Sequence, residues 1–313
     1  MAQRPLSKPA DSATTDAAAR TDPGTQRSAW WIRALASLPL TMLHGLARLL
    51  GWLACSVLRL RRDVVRDNIA RCFPALDAQA VNATMARYYV NIATVFVEII
   101  KSVALTPAQI RERVKLIDAE LARSVMARGQ SVLLVAAHHC NWEWMLLALA
   151  LELQYPVDAA YKPLGDEWAE LEMKKMRTRF GSRLVPAKSL LADIIKRRGV
   201  VRAIAMVADQ EPTTSEHKHW TTFLTRETAF YMGPEEISRA TRMPVFFIGM
   251  QRVRPGFYEM SFVPLTVAGE AFEPGVITER YARQVEEQIE VSPADWFWSH
   301  KRWKLKRSVY GRK

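Results

Sequence analysis

The stretch Ser131–Leu153 (SVLLVAAHHCNWEWMLLALALEL) decides the fold class. Its first part, SVLLVAAH, is a short continuous apolar run with glycine upstream and polar residues downstream, which is typical of a buried strand. Its second part, NWEWMLLALALEL, predicts a helix with Asn141 as the N-cap and Glu143 in the first turn. A buried strand that leads directly into a helix indicates an α/β unit, and two histidines lie at the junction.

The same alternation continues downstream. Further strand-like runs are PVDAAY, SRLVP, VVRAIAMVAD, MPVFFIGMQRV and FYEMSFVPLTV, with helical segments near residues 166–179, 190–198, 233–241 and 278–291. This order predicts a mostly parallel central sheet with helices on both faces. Ligands of such sheets bind at the carboxyl ends of the strands, where residues 135–139 and 208–210 fall.

Three regions precede the alternation. Residues 1–28 are rich in Ala, Thr, Ser, Asp and Pro and predict a disordered tail. Residues 29–62 hold a long apolar segment that predicts a membrane-associated helix. Residues 63–128 read as helical, with helix starts at Asp77 and Pro107.

Composition narrows the function classes. The chain has 313 residues, with 44 Lys and Arg against 32 Asp and Glu, so its formal net charge is +12. Hydrophobic residues make up 49% and the mean hydropathy is −0.09, which excludes a polytopic membrane protein and a largely disordered chain. The positive charge and the ten tryptophans indicate an anionic partner with an apolar body, either a lipid surface or a nucleic acid. Three cysteines without metal-type spacing favour a reducing compartment.

The apolar segment at residues 29–60 is long enough to cross a bilayer, which takes about 20 residues. Arg33, His44 and Arg48 interrupt it, however, and Pro39 is expected to kink it. Tryptophans and arginines near its ends are typical of a headgroup boundary. An amphipathic helix or hairpin packed on the protein's own core is the alternative. We expect membrane association, by either a spanning or a surface-lying helix.

The run His138-His139-Cys140-Asn141-Trp142-Glu143 is the most informative for chemistry. A histidine at a strand end can take a proton from a substrate hydroxyl when a carboxylate holds its other ring nitrogen. Glu143 is the expected carboxylate, and the substrate supplies the nucleophile. Three alternatives stay open at this point: a zinc site that uses His138, His139 and Cys140, purely structural histidines, and a nucleophilic Cys140.

A family resemblance rests on this run and on blocks elsewhere in the chain. His138 and Glu143 in the context HHCNWEW resemble the H-x4-D/E motif of glycerolipid acyltransferases, in the Asn-Trp-Glu form of the lauroyl/myristoyl acyltransferases of bacterial lipid A biosynthesis. Other blocks follow in the family's order: RDNI and FP within residues 66–74, YKP at 161–163, DQ at 209–210, FL and TA within 223–229, and PADWFWSHKRWK at 293–304. The closing block is the most specific of these.

The resemblance implies a chemistry and residues for it. A fatty acyl chain moves from an acyl carrier protein or CoA thioester to a hydroxyl of a membrane glycolipid, foremost a lipid A precursor, and no cofactor or metal is expected. His138 is implied as the general base and Glu143 as its orienting partner. The expected substrate-binding residues are Arg179, Asp209, Arg177 and Asn141, with Arg179 suited to an acceptor phosphate or an oxyanion because a guanidinium binds anions in a bidentate way.

The resemblance also implies a place in the cell. Residues 63–313 are expected to form an acyltransferase domain on the cytoplasmic side of the inner membrane, an orientation that the arginines at 59–66 favour. An anionic membrane surface and an acidic carrier protein are the expected partners of the basic charge. We expect the Trp, Lys and Arg side chains of the closing block to meet lipid headgroups. A nucleic acid is not expected, because no RNA- or DNA-binding motif accompanies this block.

Departures from the family pattern keep two functional alternatives open. His139-Cys140 stands where Phe-Gly is usual, and Lys162 and Lys301 each replace an arginine. These changes bear on the acceptor more than on the reaction class. The alternatives are acylation of another lipid or polyketide-derived hydroxyl, and a catalytically silent peripheral membrane protein of the same fold.

Overall fold

The computed structural model describes residues 28–214, 217–266 and 270–307, so the predicted disordered tail falls almost wholly outside the described residues. The described part contains helices α1 (Trp30–Ser37), α2 (Leu40–Trp52), α3 (Arg62–Cys72), α4 (Ala78–Ser102), α5 (Pro107–Arg113), α6 (Glu120–Ala127), α7 (Trp142–Glu152), α8 (Glu167–Thr178), α9 (Leu190–Lys196), α10 (Gly233–Thr241) and α11 (Val276–Val291). Its strands are β1 (Val114–Ile117), β2 (Val132–Ala136), β3 (Val157–Tyr161), β4 (Arg183–Pro186), β5 (Ala203–Val207), β6 (Lys218–Phe223), β7 (Arg226–Tyr231), β8 (Val245–Arg254) and β9 (Phe257–Pro264).

Seven of these strands form one sheet in the order β1-β9-β8-β2-β5-β3-β4. Every neighbouring pair is parallel except β8 and β9, which pair antiparallel. Strands β6 and β7 form a separate antiparallel hairpin. The predicted α/β fold with a mostly parallel sheet is confirmed.

Strand β2 explains why the apolar run in the sequence is continuous. All five of its residues are buried. Leu133 and Val135 belong to one apolar core, whereas Val132 and Leu134 belong to a second, because successive side chains of a strand point to opposite faces of the sheet. Helix α7 packs in the second core and α11 in the first, so both faces are covered.

The helical reading of residues 63–128 holds for α3, α4 and α5 but is wrong for β1. Asp77 caps α4 by accepting a hydrogen bond from the amide of Ala80 at 2.8 Å, and Thr106 forms a capping box before Pro107. The segment Val114–Ile117, which was predicted to continue the third helix, is instead an edge strand parallel to β9. Its partner strand is remote in sequence, so no local pattern identifies the pairing.

The apolar N-terminal segment is broken where the sequence predicts a kink. Pro39 separates α1 from α2, and a π-helical turn at Leu53–Val57 extends α2. The stretch Leu40–Val57 is long and apolar enough to cross a membrane, and 22% of it is buried. Gly51 allows α2 to approach α4 closely, since a Cβ atom there would lie 2.7 Å from the carbonyl oxygen of Tyr89.

Candidate active site

The carboxyl ends of the parallel neighbours β2 and β5 bring His138 and Asp209 together. The Nδ1 atom of His138 lies 2.7 Å from Oδ1 of Asp209. The other oxygen of Asp209 accepts hydrogen bonds from the backbone amide of His138 at 3.1 Å and from the indole nitrogen of Trp296 at 2.7 Å. Three contacts therefore fix a buried carboxylate behind the imidazole. The Nε2 atom of the ring faces the opposite way, 3.5 Å from the amide nitrogen of Gln210.

The environment of His138 strengthens it as a base. Burial by itself lowers the pKa of the imidazole, but the charge of Asp209 and the hydrogen bond to it outweigh burial and raise the pKa above its usual value near 6.5. Burial raises the pKa of Asp209, yet the contacts with His138 and Trp296 bring that pKa below its usual range. The two groups act as one charged pair, and Asp209 sets the strength of the base.

The structure corrects the expected pairing of His138 with Glu143. The Glu143 carboxylate is held in a bidentate pair by Arg177, with Nε to Oε2 at 2.8 Å and Nη2 to Oε1 at 2.6 Å. The reason is the chain reversal between strand and helix: Cys140 has a left-handed φ of 53°, after which the first turn of α7 directs Glu143 towards α8. The charge of Glu143 still raises the pKa of His138, without a hydrogen bond to it.

Two predicted substrate-binding residues lie away from the site. Arg179 donates a hydrogen bond to the carbonyl of Ser102, and its guanidinium stacks 5.2 Å from the ring centre of Phe180. Asn141 is the predicted N-cap, since its Oδ1 accepts from the amide of Trp144 at 3.0 Å, but it is fully buried and its amide nitrogen donates to Glu98. Arg177, by contrast, lines the cavity next to the histidine.

A cavity of about 670 Å³ opens in front of His138. Its charged and polar lining includes His138, Glu143, Arg177 and Gln210, together with the exposed Lys162 and Lys188. Apolar side chains from the strands, α7 and α9 also line it: Leu134, Met145, Leu146, Leu149, Leu184, Leu190 and Ile248. A candidate base and a cation therefore share one cavity with many apolar side chains.

His139 and Cys140 face the core rather than the cavity. The two ring nitrogens of His139 lie 3.2 Å from the carbonyl oxygens of Met250 and Ser292. Burial raises the pKa of the Cys140 thiol well above its usual value, so the thiol stays protonated. The imidazoles of His138 and His139 have separate partners and do not share a zinc site with Cys140. Cys140 also lacks the exposure that a nucleophile needs. His139 and Cys140 therefore pack in the core of the domain.

The closing block packs against the His138–Asp209 pair through Trp296 and Phe297. Trp296 and Trp298 are buried and lie 4.7 Å apart in an edge-to-face pair, and Arg302 is buried with a hydrogen bond to the carbonyl of Ala229. The expectation that these side chains meet lipid is wrong for them, because their neighbours are Phe73, the β6–β7 hairpin and Asp209. Trp296, which donates a hydrogen bond to Asp209, was not among the predicted site residues. The only sequence signal for it was that it belongs to the most specific block of the family pattern.

Comparison with known proteins identifies the family of this chain. A model of the bacterial lipid A biosynthesis acyltransferase family matches residues 28–305. The chain belongs to this family. The resemblance drawn from the motifs is thereby confirmed, and membership of a lipid A biosynthesis acyltransferase family implies an acyl donor and a lipid acceptor.

Two relatives from lipid A biosynthesis share low sequence identity with this chain. The chain is similar to the lipid A biosynthesis palmitoleoyltransferase of Escherichia coli (strain K12), with 20% identity over 275 residues, which cover 86% of this chain and 87% of the relative. It is equally similar to a lipid A biosynthesis acyltransferase of Shigella flexneri, with the same identity and coverage. The match to the family model includes the N-terminal apolar helices α1 and α2.

Proposed function

We propose that this acyltransferase transfers a fatty acyl chain from an acyl carrier protein or CoA thioester to a hydroxyl of a membrane glycolipid, a lipid A precursor, with His138 as the general base. The observation that carries this proposal is the His138–Asp209 pair, with His138 in the lining of a cavity that has many apolar side chains. Family membership supports the reaction class.

The reaction needs a base and a means of stabilising negative charge, because a thioester is already activated. His138 takes the proton of the acceptor hydroxyl at Nε2, and the oxygen attacks the thioester carbonyl. The tetrahedral intermediate collapses to an ester and a thiolate, which takes the proton back from the imidazolium. General-base assistance contributes about 10²–10⁴-fold in rate, and one oxyanion donor about 10²–10³-fold.

Asp209 is the residue that orients the base in this proposal. Its Oδ1 accepts the Nδ1 proton of His138, which leaves the Nε2 lone pair directed at the cavity. It also stabilises the imidazolium that forms. Asp209, predicted to contact substrate, is 2% exposed and therefore acts through His138.

Arg177 is the cation that we assign to the negative charge of the reaction. Glu143 occupies two of its donors in a planar bidentate pair, which fixes the guanidinium plane beside the cavity. The remaining donors are available to the oxyanion or to an acceptor phosphate. Glu143 is thus a positioning residue for Arg177, and Arg177 takes the role expected for Arg179.

The shape of the cavity suits an acyl chain more than a sugar. The cavity has the volume of a small-molecule site, and much of its lining is apolar, which suits a hydrocarbon chain next to the base. Lys162 and Lys188 are exposed residues of the same lining, where they complement an acidic carrier protein or a phosphate.

The experiment that tests the proposal uses purified full-length protein, acyl carrier protein and CoA thioesters of several chain lengths, and a lipid A precursor. Products are weighed by mass spectrometry. We expect one acyl group to be added by the wild type, no product from His138→Ala, and full activity from His219→Ala, a histidine on the β6–β7 hairpin. Full activity of His138→Ala would overturn the mechanism. Failure of the wild type with every donor would favour the silent-protein alternative.

A further inference from the structure

Helix α2 has one face that is already occupied. Leu43 and Ala47 pack with Val97 of α4 in a small separate core, and Gly51 lies against the α4 backbone. A polar contact accompanies them: Nε2 of His44 lies 2.9 Å from Oε1 of Glu98, a fully buried residue of α4. This face cannot be turned to lipid without separating α2 from the rest of the protein.

Helix α1 is tied to the same neighbour. The ammonium group of Lys101, near the end of α4, donates hydrogen bonds to the carbonyl oxygens of Ala36 and Leu38 at 2.8 Å each. These are carbonyls at the C-terminus of α1, which a cation satisfies well. Helix α4 in turn packs through Met85 and Tyr88 into the main core. Both N-terminal helices therefore belong to the same packed unit as the catalytic domain.

The exposed part of α2 is divided into two stripes. Residues three or four apart share a face of a helix. Met42, Leu46 and Leu49 form an exposed apolar stripe, and the exposed row beside it holds Thr41 and Arg48 and ends at Trp52, a residue typical of the membrane interface. A helix that spans a bilayer is apolar on every lipid-facing side, whereas a helix in the plane of the interface has this division.

The position of Arg48 distinguishes a spanning α2 from an in-plane α2. Arg48 is exposed, and it lies at the midpoint of Leu40–Val57, the stretch that is long enough to span. A transmembrane arrangement would place this guanidinium in lipid at the centre of the bilayer, which is strongly unfavourable. An in-plane arrangement places it among the headgroups, where an arginine is favoured.

A tryptophan pair joins α1 to exposed apolar side chains of the catalytic domain. Trp31 of α1 stacks on Trp168 of α8, with ring centres 5.4 Å apart. Trp168 is still 47% exposed, and Leu171, one turn further along α8, is 38% exposed. Tryptophan is the residue most typical of the membrane interface. Leu164, just before α8, is also exposed and lines the cavity, so the apolar surface reaches the opening of the site.

We propose that this chain binds one leaflet of an anionic bilayer without crossing it, through an in-plane surface formed by α1, the outer stripe of α2, and Trp168 and Leu171 of α8. The net charge of +12 and the exposed Arg33 and Arg48 of these helices complement anionic lipid. The surface places the cavity opening at the leaflet, where a lipid acceptor enters from the side.

Sidedness tests the first half of the proposal. The cysteines of the chain, Cys55, Cys72 and Cys140, are buried, so single introduced cysteines report cleanly. We choose Ser37→Cys, at the end of α1, and Gly199→Cys, before β5 at the amino ends of the strands, both exposed. Inverted inner-membrane vesicles that hold the full chain are treated with a membrane-impermeant maleimide.

An in-plane surface predicts that both variants are labelled without detergent. A spanning Leu40–Val57 places Ser37 on the side opposite Gly199. Labelling of Ser37→Cys only after detergent is added, with Gly199→Cys labelled before, would overturn the proposal.

Vesicle binding tests the contribution of α8. Purified protein is sedimented with vesicles of phosphatidylethanolamine and phosphatidylglycerol. We expect each of the single variants Trp168→Asp and Leu171→Asp to weaken binding by at least about tenfold. Each replaces a large apolar side chain with a negative charge, which is unfavourable in lipid. Val200→Asp is the matched control and should bind as the wild type does. Val200 is an exposed apolar residue before β5, at the amino ends of the strands and away from the cavity opening.

The outcome is independent of the reaction. Binding by both α8 variants equal to that of the wild type would overturn the proposed surface, as would an equal loss in Val200→Asp. Circular dichroism and thermal unfolding show that each variant is folded. Neither sidedness nor binding depends on acyl transfer, so failure of the proposed reaction would leave both results intact.

Discussion

The substitution Asp209→Asn separates the two carboxylates that could orient the base. In the wild type, Oδ2 of Asp209 accepts hydrogen bonds from the backbone amide of His138 and from the indole N–H of Trp296. Both of these groups can only donate. An asparagine must keep its single oxygen at that position. Its NH₂ group then faces Nδ1 of His138, where Oδ1 now lies at 2.7 Å.

The consequence is a change of tautomer. Because the asparagine NH₂ group is a donor, Nδ1 of His138 has to accept, and the ring proton moves to Nε2. An imidazole protonated at Nε2 cannot take the proton of the acceptor hydroxyl. We therefore expect kcat to fall by about 10²–10⁴-fold, the range of general-base assistance, with little change in KM. Loss of a charged hydrogen-bonding partner should also cost about 1.5–3 kcal/mol of stability.

The assay is initial-rate acyl transfer as a function of pH, with Glu143→Gln as the matched carboxylate variant. The neutral form of His138 is the active base, so the rate rises with pH through the raised pKa of the wild type. Removing the charge of Asp209 lowers that pKa, and the acid limb of the residual activity should move to lower pH. Glu143→Gln should keep the tautomer and lose mainly the fixed position of Arg177.

The opposite ranking would refute the reasoning. If Asp209→Asn kept near wild-type kcat while Glu143→Gln lost the 10²–10⁴-fold expected of a general base, then Glu143 orients the imidazole during the reaction. An acid limb that stays in place in Asp209→Asn would show that Asp209 does not raise the pKa of His138.

Three further predictions concern residues around the site and the N-terminal helices. Cys140→Ala should keep full acyl transfer, because the thiol is buried and protonated; loss of activity in a folded protein would restore the nucleophile alternative. Trp298→Ala should lower the free energy of unfolding by about 3–5 kcal/mol, because the indole is fully buried, whereas Trp30→Ala, 79% exposed, should leave it unchanged in denaturant titrations. Gly51→Val should separate α2 from α4 and cost about 1–3 kcal/mol, while Gly45→Ala, with open space around it, should be neutral or slightly stabilising; equal melting temperatures for the two would contradict the packing.

Several elements of the fold could be predicted because their signal is local. The continuous apolar run of β2 and the caps at Asp77, Thr106 and Asn141 each depend on neighbours within a few residues. The β6–β7 hairpin escaped prediction because its turn has none of the usual residues. Leu224 and Thr225 hold the positive φ angles, 47° and 65°, of a turn that normally uses Asn-Gly.

For the candidate site, the positions of residues at strand ends could be predicted, but the pairing of their side chains could not. His138 and Asp209 follow strand ends, and the rule that parallel sheets bind ligands at that edge placed both there. The rule does not say which carboxylate reaches which ring nitrogen. Spacing along the chain favoured Glu143, but the left-handed turn at Cys140 directs it to Arg177.

The closing block shows the limit of composition. Interleaved Trp, Lys and Arg side chains are suited to a membrane surface or to a protein interior, because both environments reward an apolar body with a polar edge. The indole N–H of Trp296 donates a hydrogen bond to Asp209, and that of Trp298 donates one to the carbonyl of Pro293. The tryptophans that stay exposed are those of α1, α2 and α8.

The sequence by itself determined the α/β class, the family, the position of His138 at a strand end and an apolar N-terminal segment, since each is encoded in residues that are adjacent or periodic along the chain. Only the tertiary structure decided that Asp209 holds the imidazole, that Arg177 and not Arg179 reaches the cavity, and that α2 lies on α4. Each of these is a contact between elements far apart in the sequence. Its geometry follows from strand order and helix packing, which no local pattern records.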